Sequence, residues 1–298
     1  MLPNNIEYIT RDDPRFPPLL LHFSDPPEGI YVRGDLKEHP CVSVVGTRRC
    51  TTYGKRVTND IVGGLVSSGM GIVSGMAFGI DALAHEATLA AGGYTIAVLA
   101  TGIDDATLYP REHVGLAKRI LESGGAIISE QPPRSPSFKY AFPRRNRLIA
   151  GLTHATLVIE ATQDSGSLIT AKLALDQNRE VMAVPGSVYN PVSDGCHQLI
   201  KMGAKLVRNA DDVLKSMAFD RPELIAECRA SLPMTEIESR VYASLDQPRH
   251  IDDISTLLGL NSAMISSTLA LLEIKNYVTH QGAQFWLKKA VFAKHAIK

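Results

Sequence analysis

The residues whose types and spacing could do chemistry are glycines, hydroxyl side chains and arginines that stand directly after short apolar segments. SGMAFGIDALAH (residues 74–85) places Ser74, Gly75 and Gly79 immediately before a helical pattern. Glycines allow a close approach of the backbone, and the free N–H groups at the start of the following helix attract anions. The spacing therefore predicts a phosphate-binding turn, which could serve a nucleotide cofactor or a nucleic acid strand.

Two other loops have the same character. VVGTRRCTTYGKR (residues 44–56) offers Gly46 for a tight turn, the hydroxyl of Thr47 and four cations that begin with Arg48. EATQDSGSLITA (residues 160–171) places three small residues at the start of a helical pattern, namely Ser165, Gly166 and Ser167. These three could form a simple helix cap or add to one anion-binding rim.

A basic segment with interleaved aromatic residues is the most informative part of the chain. Residues 131–159 contain no acid and five basic residues, which are Arg134, Lys139, Arg144, Arg145 and Arg147. Phe138, Tyr140 and Phe142 alternate with them. A basic run is usually a solvated face, but single-stranded nucleic acid needs cations for its backbone and flat rings for its bases. The interleaving therefore favours a surface for single strands.

The catalytic inventory is poor. A glycine-rich dinucleotide fingerprint after the first strand, a Walker lysine, a GxSxG elbow and an HExxH helix are all absent from the sequence. Asp81 is expected in the first turn of a helix, where the dipole favours a carboxylate, and His85 could face the site or lie in the core. The sequence therefore predicts no catalytic residue, no metal and no cofactor.

The composition describes an ordinary globular protein of two domains. The chain has 298 residues, of which 45% are apolar and 21% charged, and its 31 basic residues balance 31 acidic ones. A polyanion must therefore be held by local basic patches. Cysteines without metal spacing, an N-terminus without a signal pattern and apolar runs shorter than about 18 residues predict a cytoplasmic protein without membrane contact.

The strands and helices that position these loops are predicted to form a parallel sheet covered by helices. From residue 41, short apolar segments alternate with helical patterns, which is typical of strands covered by helices on both faces. Right-handed crossovers then predict a doubly wound α/β domain. Because ligands bind beyond the carboxyl ends of such strands, the loops described above are expected to converge at one edge.

Four segments make up the predicted domain organisation. Residues 1–40 are rich in proline and are expected to form an arm that wraps over the main domain, residues 41–217. Residues 218–231 are interpreted as a linker. In residues 232–298, three helical stretches precede the strands YVTH and QFWLK, which predicts a small winged-helix domain. Its candidate recognition helix, NSAMISSTLALLEI, has no basic residue, so a protein contact is favoured over duplex DNA.

An ordered set of motifs resembles the DNA-processing protein family called DprA or Smf. The motifs are VVGTR (44–48), SGMAFGIDALAH (74–85), ATGIDDATLYP (100–110), SEQPP (129–133), FPRRNRLIAGL (142–152), VIEATQDSGSLITA (158–171) and GCHQLIKMGA (195–204). The resemblance implies an extended Rossmann-like fold that binds single-stranded DNA. It further implies a homodimer without enzymatic activity that protects incoming strands in natural transformation and helps to load the RecA recombinase.

The resemblance also assigns roles to residues. It implies that Arg48 contacts DNA phosphate, that Arg111 supplies a basic group after Tyr-Pro, and that Asn146 and Arg147 belong to a binding element. The full DNA-binding prediction comprises Gly46, Thr47, Arg48, Ser74, Gly75, Gly79, Arg111, Lys139, Phe142, Arg144, Arg145, Asn146, Arg147, Ser165, Gly166 and Ser167. The predicted dimer surface comprises His197, Leu199, Ile200 and Met202, which could also be plain core.

Two functional hypotheses follow from the sequence. In the leading one, phosphates bind the arginines and the helix N-termini at residues 46–54, 79–81 and 165–168, and bases stack on the aromatic side chains. The alternative is a phosphoribohydrolase that cleaves nucleotides on a related fold. Those enzymes carry a PGGxGTxxE signature, whereas the corresponding region here reads EATQDSGSLITA.

Overall fold

The computed structural model describes residues 5–22, 25–138, 140–220, 234–274, 277–280 and 285–288. The chain divides into two compact units, Met1–Pro222 and Glu223–Lys298. In the first unit, nine strands form one sheet in the order β1-β2-β6-β5-β4-β3-β7-β8-β9. The strands are β1 (Ile6–Thr10), β2 (Gly29–Gly34), β3 (Cys41–Val45), β4 (Gly71–Ser74), β5 (Thr95–Val98), β6 (Ala126–Ser129), β7 (Ala155–Val158), β8 (Glu180–Ala183) and β9 (Lys205–Leu206).

Seven of these strands, β3 to β9, run parallel. Helices connect them: α1 (Thr52–Ser67), α2 (Ile80–Ala90), α3 (Val114–Glu122), α4 (Ala141–Gly151), α5 (Gly166–Asp176), α6 (Asp194–Lys201) and α7 (Ala210–Asp220). In β6, Ala126 and Ile128 join one core while Ile127 joins another, so the sheet is covered on both faces. This arrangement confirms the predicted doubly wound α/β fold.

The chain reverses its winding direction at β3. It proceeds from β3 through β4 and β5 to β6 on one side, then returns to place β7, β8 and β9 on the other side of β3. In open parallel sheets the crevice for ligands lies at such a switch point, outside the carboxyl ends of the strands. The loops that follow β3 and β7 therefore border the expected site.

The proline-rich segment differs from its prediction as an arm that wraps over the domain. Instead it adds two strands to the sheet, since β1 pairs with β2 and β2 pairs with β6, both antiparallel. Its prolines in the described residues fall in the connections, at Pro14, Pro17, Pro18, Pro26, Pro27 and Pro40. The prolines exclude long helices but not short strands between them, because each proline removes a hydrogen-bond donor only at its own position.

Within its described residues, the second unit contains three helices and a small sheet. The helices are α8 (Glu236–Ala243), α9 (Ile251–Leu258) and α10 (Ser262–Ile274), and β10 (Arg249–His250), β12 (Phe285–Lys288) and β11 (Val278–His280) pair antiparallel in that order. This element order agrees with a winged helix, which stays a prediction. The sequence QGA (281–283), which suits a hairpin turn between the strands YVTH and QFWLK, lies outside the described residues, and so does most of the predicted linker. Across those residues no single helix could cross a membrane by length and apolarity, although α9 and α10, bent by 112°, pass that test as a pair.

Candidate nucleic-acid interface

A cleft of about 470 Å³ opens at the carboxyl edge of the sheet, where β3 and β7 lie side by side. Its lining comes from the loop after β3, the first half of α4 and the loop between β7 and α5. The structure thus brings together nine of the predicted binding residues, which are Gly46, Thr47, Arg48, Phe142, Arg145, Asn146, Ser165, Gly166 and Ser167. Arg49, Asp81 and Thr170 also line it and were not among the predicted binding residues.

Arg48 is the most accessible predicted cation of this cleft. Its side chain is exposed, forms no ion pair within the described part of the chain, and lies with Cζ 5.8 Å from the centre of the Phe142 ring. The loop that carries it is fixed at both ends of Thr47, whose N–H donates to the carbonyl of Glu160 at 2.7 Å and whose carbonyl accepts from Ile80 at 3.2 Å. A guanidinium group is therefore presented to solvent on a rigid loop beside a flat ring.

The N-terminus of α5 is open to the cleft. Ser165 caps the helix by accepting a hydrogen bond from the N–H of Ser167 at 3.3 Å, and the two hydroxyls lie 2.7 Å apart. Gly166 is exposed and has open space around it, while Asn146 donates to its carbonyl at 3.4 Å. Because the first turn of α5 contains no acidic residue, its N–H groups and positive dipole end are available to an anion.

The protein's own carboxylates occupy the other two helix N-termini that were predicted to bind phosphate. At α1, the carboxylate of Glu160 accepts from the N–H of Thr51 at 2.9 Å and from its hydroxyl at 2.5 Å. At α2, Asp81 is buried in the first turn as expected, and burial raises its pKa, against which Arg145 acts. The phosphate sites expected at 46–54 and 79–81 stay predictions, and a carboxyl group of the protein already lies at each of these two helix ends. The sequence feature that could have indicated this at α1 is Glu160, an acid in the loop that follows a buried strand.

Arg145 is a buried arginine in the lining of the cleft. It is 7% exposed, and its guanidinium donates to the carbonyls of Gly75, at 2.7 Å, and Val98. Burial lowers its pKa to about 10, the positive charge of Arg48 acts in the same direction, and Asp81 opposes both. Arg145 therefore remains a cation at neutral pH.

Three other predicted binding residues make close contacts within the fold. Ser74 has no exposed surface, and its hydroxyl donates to the carbonyl of Val44 at 2.7 Å, so DNA cannot reach it. At Gly75 a Cβ would lie 2.7 Å from the guanidinium carbon of Arg145. Gly79 has a φ of 77°, and a Cβ there would lie 2.3 Å from the carbonyl oxygen of Thr47. The two glycines therefore allow neighbouring groups to approach closely, and their role as phosphate contacts stays a prediction.

Arg144 and Arg147 lie outside the cleft. Both border a separate cavity of about 360 Å³ next to the N-terminal strands. Arg147 is buried and donates to the carbonyl of Asp25 at 2.8 Å and to Glu130, while the Nε of the exposed Arg144 lies 3.9 Å from the same carboxylate. Glu130 therefore neutralises the charge of Arg147 inside the fold, and the role of both arginines on DNA stays a prediction.

The remaining predicted residues of this edge have mixed outcomes. Arg111 is exposed next to the cleft region, and its guanidinium donates to the carbonyls of Asp105 at 2.5 Å and Ala106 at 3.1 Å. Lys139 lies outside the described residues. His85 is a core residue, because its Nδ1 contacts the hydroxyl of Thr95 at 2.7 Å and burial lowers its pKa to about 3.

Exposed aromatic rings flank the cleft on the β6 side. Phe138 and Tyr140, which follow β6, are 43% and 73% exposed and stack on each other with 5.6 Å between ring centres. Tyr109 contacts Phe142 edge-on at 6.0 Å. Because a stacked pair leaves one face of each ring open, these side chains can accept unpaired bases.

The predicted dimer surface lies around the end of α6, near the amino ends of β7 and β8. Leu199 is buried in the core and Ile200 packs against that core, so Leu199 is not an exposed interface residue. The Nε2 of His197 lies 3.1 Å from the carbonyl of Gly186. Met202 is 71% exposed beside a cavity of about 430 Å³. Of the four residues, Met202 alone is fully open to a partner.

The family model for DNA recombination-mediator protein A matches residues 7–218, which carry nearly the whole nine-stranded sheet and the cleft. The chain belongs to this family. Its membership is consistent with the motifs that line the cleft, from VVGTR to the helix start at Ser165.

Several members of the family are similar over most of the chain. Protein Smf of Escherichia coli is 45% identical over 286 residues, which cover 92% of this chain and 75% of that protein. DNA processing protein DprA of Streptococcus pneumoniae is 42% identical over 209 residues, which cover 70% of this chain and 73% of that protein. The name of the Streptococcus pneumoniae relative states DNA processing and no catalytic activity.

Two solved structures of family members share the fold. The X-ray structure of DNA processing protein A from Streptococcus pneumoniae has a TM-score of 0.66 at 39% identity, over 72% of this chain and 75% of that one. That of the Helicobacter pylori protein has a TM-score of 0.64 at 29% identity, over 73% of this chain and 98% of that one, and is described for its single-stranded DNA binding mode.

Proposed function

We propose that this chain holds single-stranded DNA in the cleft between the β3 and β7 loops without breaking a bond. In this role it protects incoming strands during natural transformation and helps a RecA recombinase to load onto them. The observation that carries the proposal is that the open N-terminus of α5 and the unpaired Arg48 face one cleft at the switch point of the sheet. The names of its relatives support a role in DNA processing.

In the proposed complex, backbone and bases of the strand find different partners. A phosphate accepts hydrogen bonds from the first N–H groups of α5 and from the hydroxyls of Ser165 and Ser167. Arg48 and Arg49, both exposed, neutralise neighbouring phosphates. Bases stack on Phe142 and on the rings after β6, which suits single strands because stacking does not depend on sequence.

The enzymatic alternative gains no support from this edge. Glu160 is 2% exposed and both of its carboxylate oxygens are engaged by Thr51, while Asp81 is 6% exposed beside Arg145. A nucleotide-cleaving carboxylate must reach the substrate, and these two are committed to helix ends instead.

We also propose that the chain acts as a homodimer in the cytoplasm. The exposed Met202 lies at the amino ends of the strands, and the DNA cleft lies at their carboxyl ends, so pairing through this face leaves the cleft open. A Met202→Glu variant is expected to sediment as a monomer, and a sedimentation profile equal to that of the wild type would contradict this interface.

The test of DNA binding compares Arg48→Ala with Arg119→Ala, a matched loss of one exposed arginine on α3. Binding of a labelled oligothymidylate is measured over a range of salt concentrations. Removing one phosphate contact is expected to make the slope of log K against log salt shallower by about 0.7, whereas the control keeps the wild-type slope. Equal affinities and slopes for the wild type and Arg48→Ala would refute the proposed site.

A further inference from the structure

The loop after β8 carries an aromatic side chain that the proposed DNA site has not used. Residues 187–190 form a turn closed by the N–H of Asn190, which donates to the carbonyl of Ser187 at 3.1 Å. Tyr189 at its tip is 95% exposed, and Val188 beside it is 74% exposed. Among the large apolar side chains that the structure describes, Tyr189 is the most exposed.

Hydrogen bonds fix the base of this turn. The carbonyl of Val192 accepts from the N–H of Ala161 at 2.7 Å, which ties the loop to the one that leads to α5. The carbonyl of Pro185 accepts from the hydroxyl of Tyr53 at 2.7 Å. Tyr53 belongs to the first turn of α1 and is itself 47% exposed, so a second aromatic ring stands at the foot of the turn.

The turn lies on the same edge of the sheet as the DNA cleft. β8 is parallel to β7 and adjacent to it, so both following loops leave at the carboxyl edge, and Val192 lines the cleft itself. At about 4.8 Å between neighbouring strands, β8 lies roughly 10 Å from β3. Phe138 and Tyr140 flank the cleft from the loop after β6, so Tyr189 stands on the opposite flank.

The surface next to this flank is basic. Residues 39–59 contain no acid, and Arg49 and Arg56 are both exposed. The Nε of Arg56 lies 3.8 Å from the carboxylate of Asp60, so Arg49 is the cation of this pair without an acid beside it in the described part of the chain. Arg56 follows Tyr53 by three residues on α1, which places the two side chains on one face of the helix. Flat rings next to cations are what a single strand requires beyond its first phosphate contact.

We propose that the bound single strand runs on from the cleft over the β8 flank, where Tyr189 and Tyr53 form a second base-stacking platform. The ligand class is the unpaired bases of single-stranded DNA, and the inference rests on the proposed function of the cleft. A strand that fills the cleft alone does not contact this platform, whereas a longer strand does.

The test uses the full chain and two labelled oligothymidylates, one of about 6 nucleotides and one of about 12 or more. In the wild type the longer strand is expected to bind more tightly. Tyr189→Ala is expected to weaken binding of the longer strand about five-fold or more and to leave the shorter one unchanged. Tyr189→Trp restores the flat ring and is expected to restore binding.

Arg48→Ala separates this proposal from the proposed function, because it is expected to weaken both strands. Unchanged binding of the longer strand by Tyr189→Ala would overturn the second platform while leaving the cleft intact. An equal loss of binding for both strand lengths in Tyr189→Ala would also overturn the second platform. A change in sedimentation with unchanged DNA binding would overturn it too, because Tyr189 would then be a protein contact. If the wild type bound neither strand, the proposed function and this inference would fail together.

Discussion

Glu160 is expected to stabilise the first unit by serving as an internal anion at the start of α1. Its two carboxylate oxygens accept from the N–H and the hydroxyl of Thr51, at 2.9 and 2.5 Å. A Cβ on Gly54 would come within 2.2 Å of one of these oxygens, so the carboxylate fills the space against the helix. The perturbation that isolates this role is Glu160→Gln, which keeps the shape and removes the charge.

The size of the effect follows from these contacts. A hydrogen bond to a charged acceptor contributes about 1.5–3 kcal/mol, and a glutamine can keep one of the two because only its oxygen accepts. The carboxylate also loses its attraction to the N-terminal dipole end of α1, about 0.3–1 kcal/mol. The free energy of unfolding should therefore fall by about 2–4 kcal/mol in Glu160→Gln.

Urea denaturation followed by circular dichroism measures this change. The single tryptophan, Trp286, lies in the second unit and would not follow the first unit directly. The matched control is Glu86→Gln, an exposed carboxylate 3.3 Å from Arg119, for which a loss of less than about 1 kcal/mol is expected. A Glu160→Gln variant that unfolds at the wild-type midpoint with the same slope would refute the reasoning.

Three further predictions concern the groups that hold the edge together. Gly79→Ala should lower the free energy of unfolding by about 2 kcal/mol or more, because φ is 77° and its Cβ would lie 2.3 Å from the carbonyl of Thr47; a wild-type urea midpoint would argue against this. Arg147→Ala should lower it by about 3 kcal/mol, since it leaves Glu130 half-buried without its main partner, yet should keep the wild-type salt slope of DNA binding. His85, whose pKa burial lowers from 6.5 to about 3, takes up a proton in the unfolded chain at a pH where the folded chain does not. The free energy of unfolding should thus fall as the pH drops below about 6.5, by up to about 1.4 kcal/mol per pH unit. When urea midpoints are measured across that pH range, His85→Gln should show a shallower fall than the wild type.

Local sequence patterns predicted the strands and helices of the first unit well. The apolar segment GIVS, one of those that alternate with helical patterns after residue 41, forms β4, and the helical pattern after Gly79 forms α2, because wholly apolar strands and amphipathic helices differ in period. The convergence of the loops after β3 and β7 also followed from the sequence, since the carboxyl ends of parallel strands lie at the same edge of a sheet.

Charge partners could not be predicted in the same way. The segment 131–159 contains no acid, but the acid that neutralises Arg147 is Glu130, one residue before it, and the fold brings the carbonyl of Asp25 to the same guanidinium. Likewise, the helix pattern after β3 shows an N-terminus without showing that Glu160 already fills it. Such pairings depend on tertiary contacts, which no local pattern records: Arg147 and Asp25 are 122 positions apart, and Thr51 and Glu160 are 109 positions apart.

Hydrogen–deuterium exchange of the full chain, with and without an oligothymidylate of about 12 nucleotides, tests the central claim most directly. If the strand binds the open N-terminus of α5 beside Arg48, exchange should slow in peptides that cover residues 46–51 and 163–170. Unchanged exchange in both peptides, or protection confined to residues 175–181 and 199–204 at the amino ends of the strands, would contradict the account.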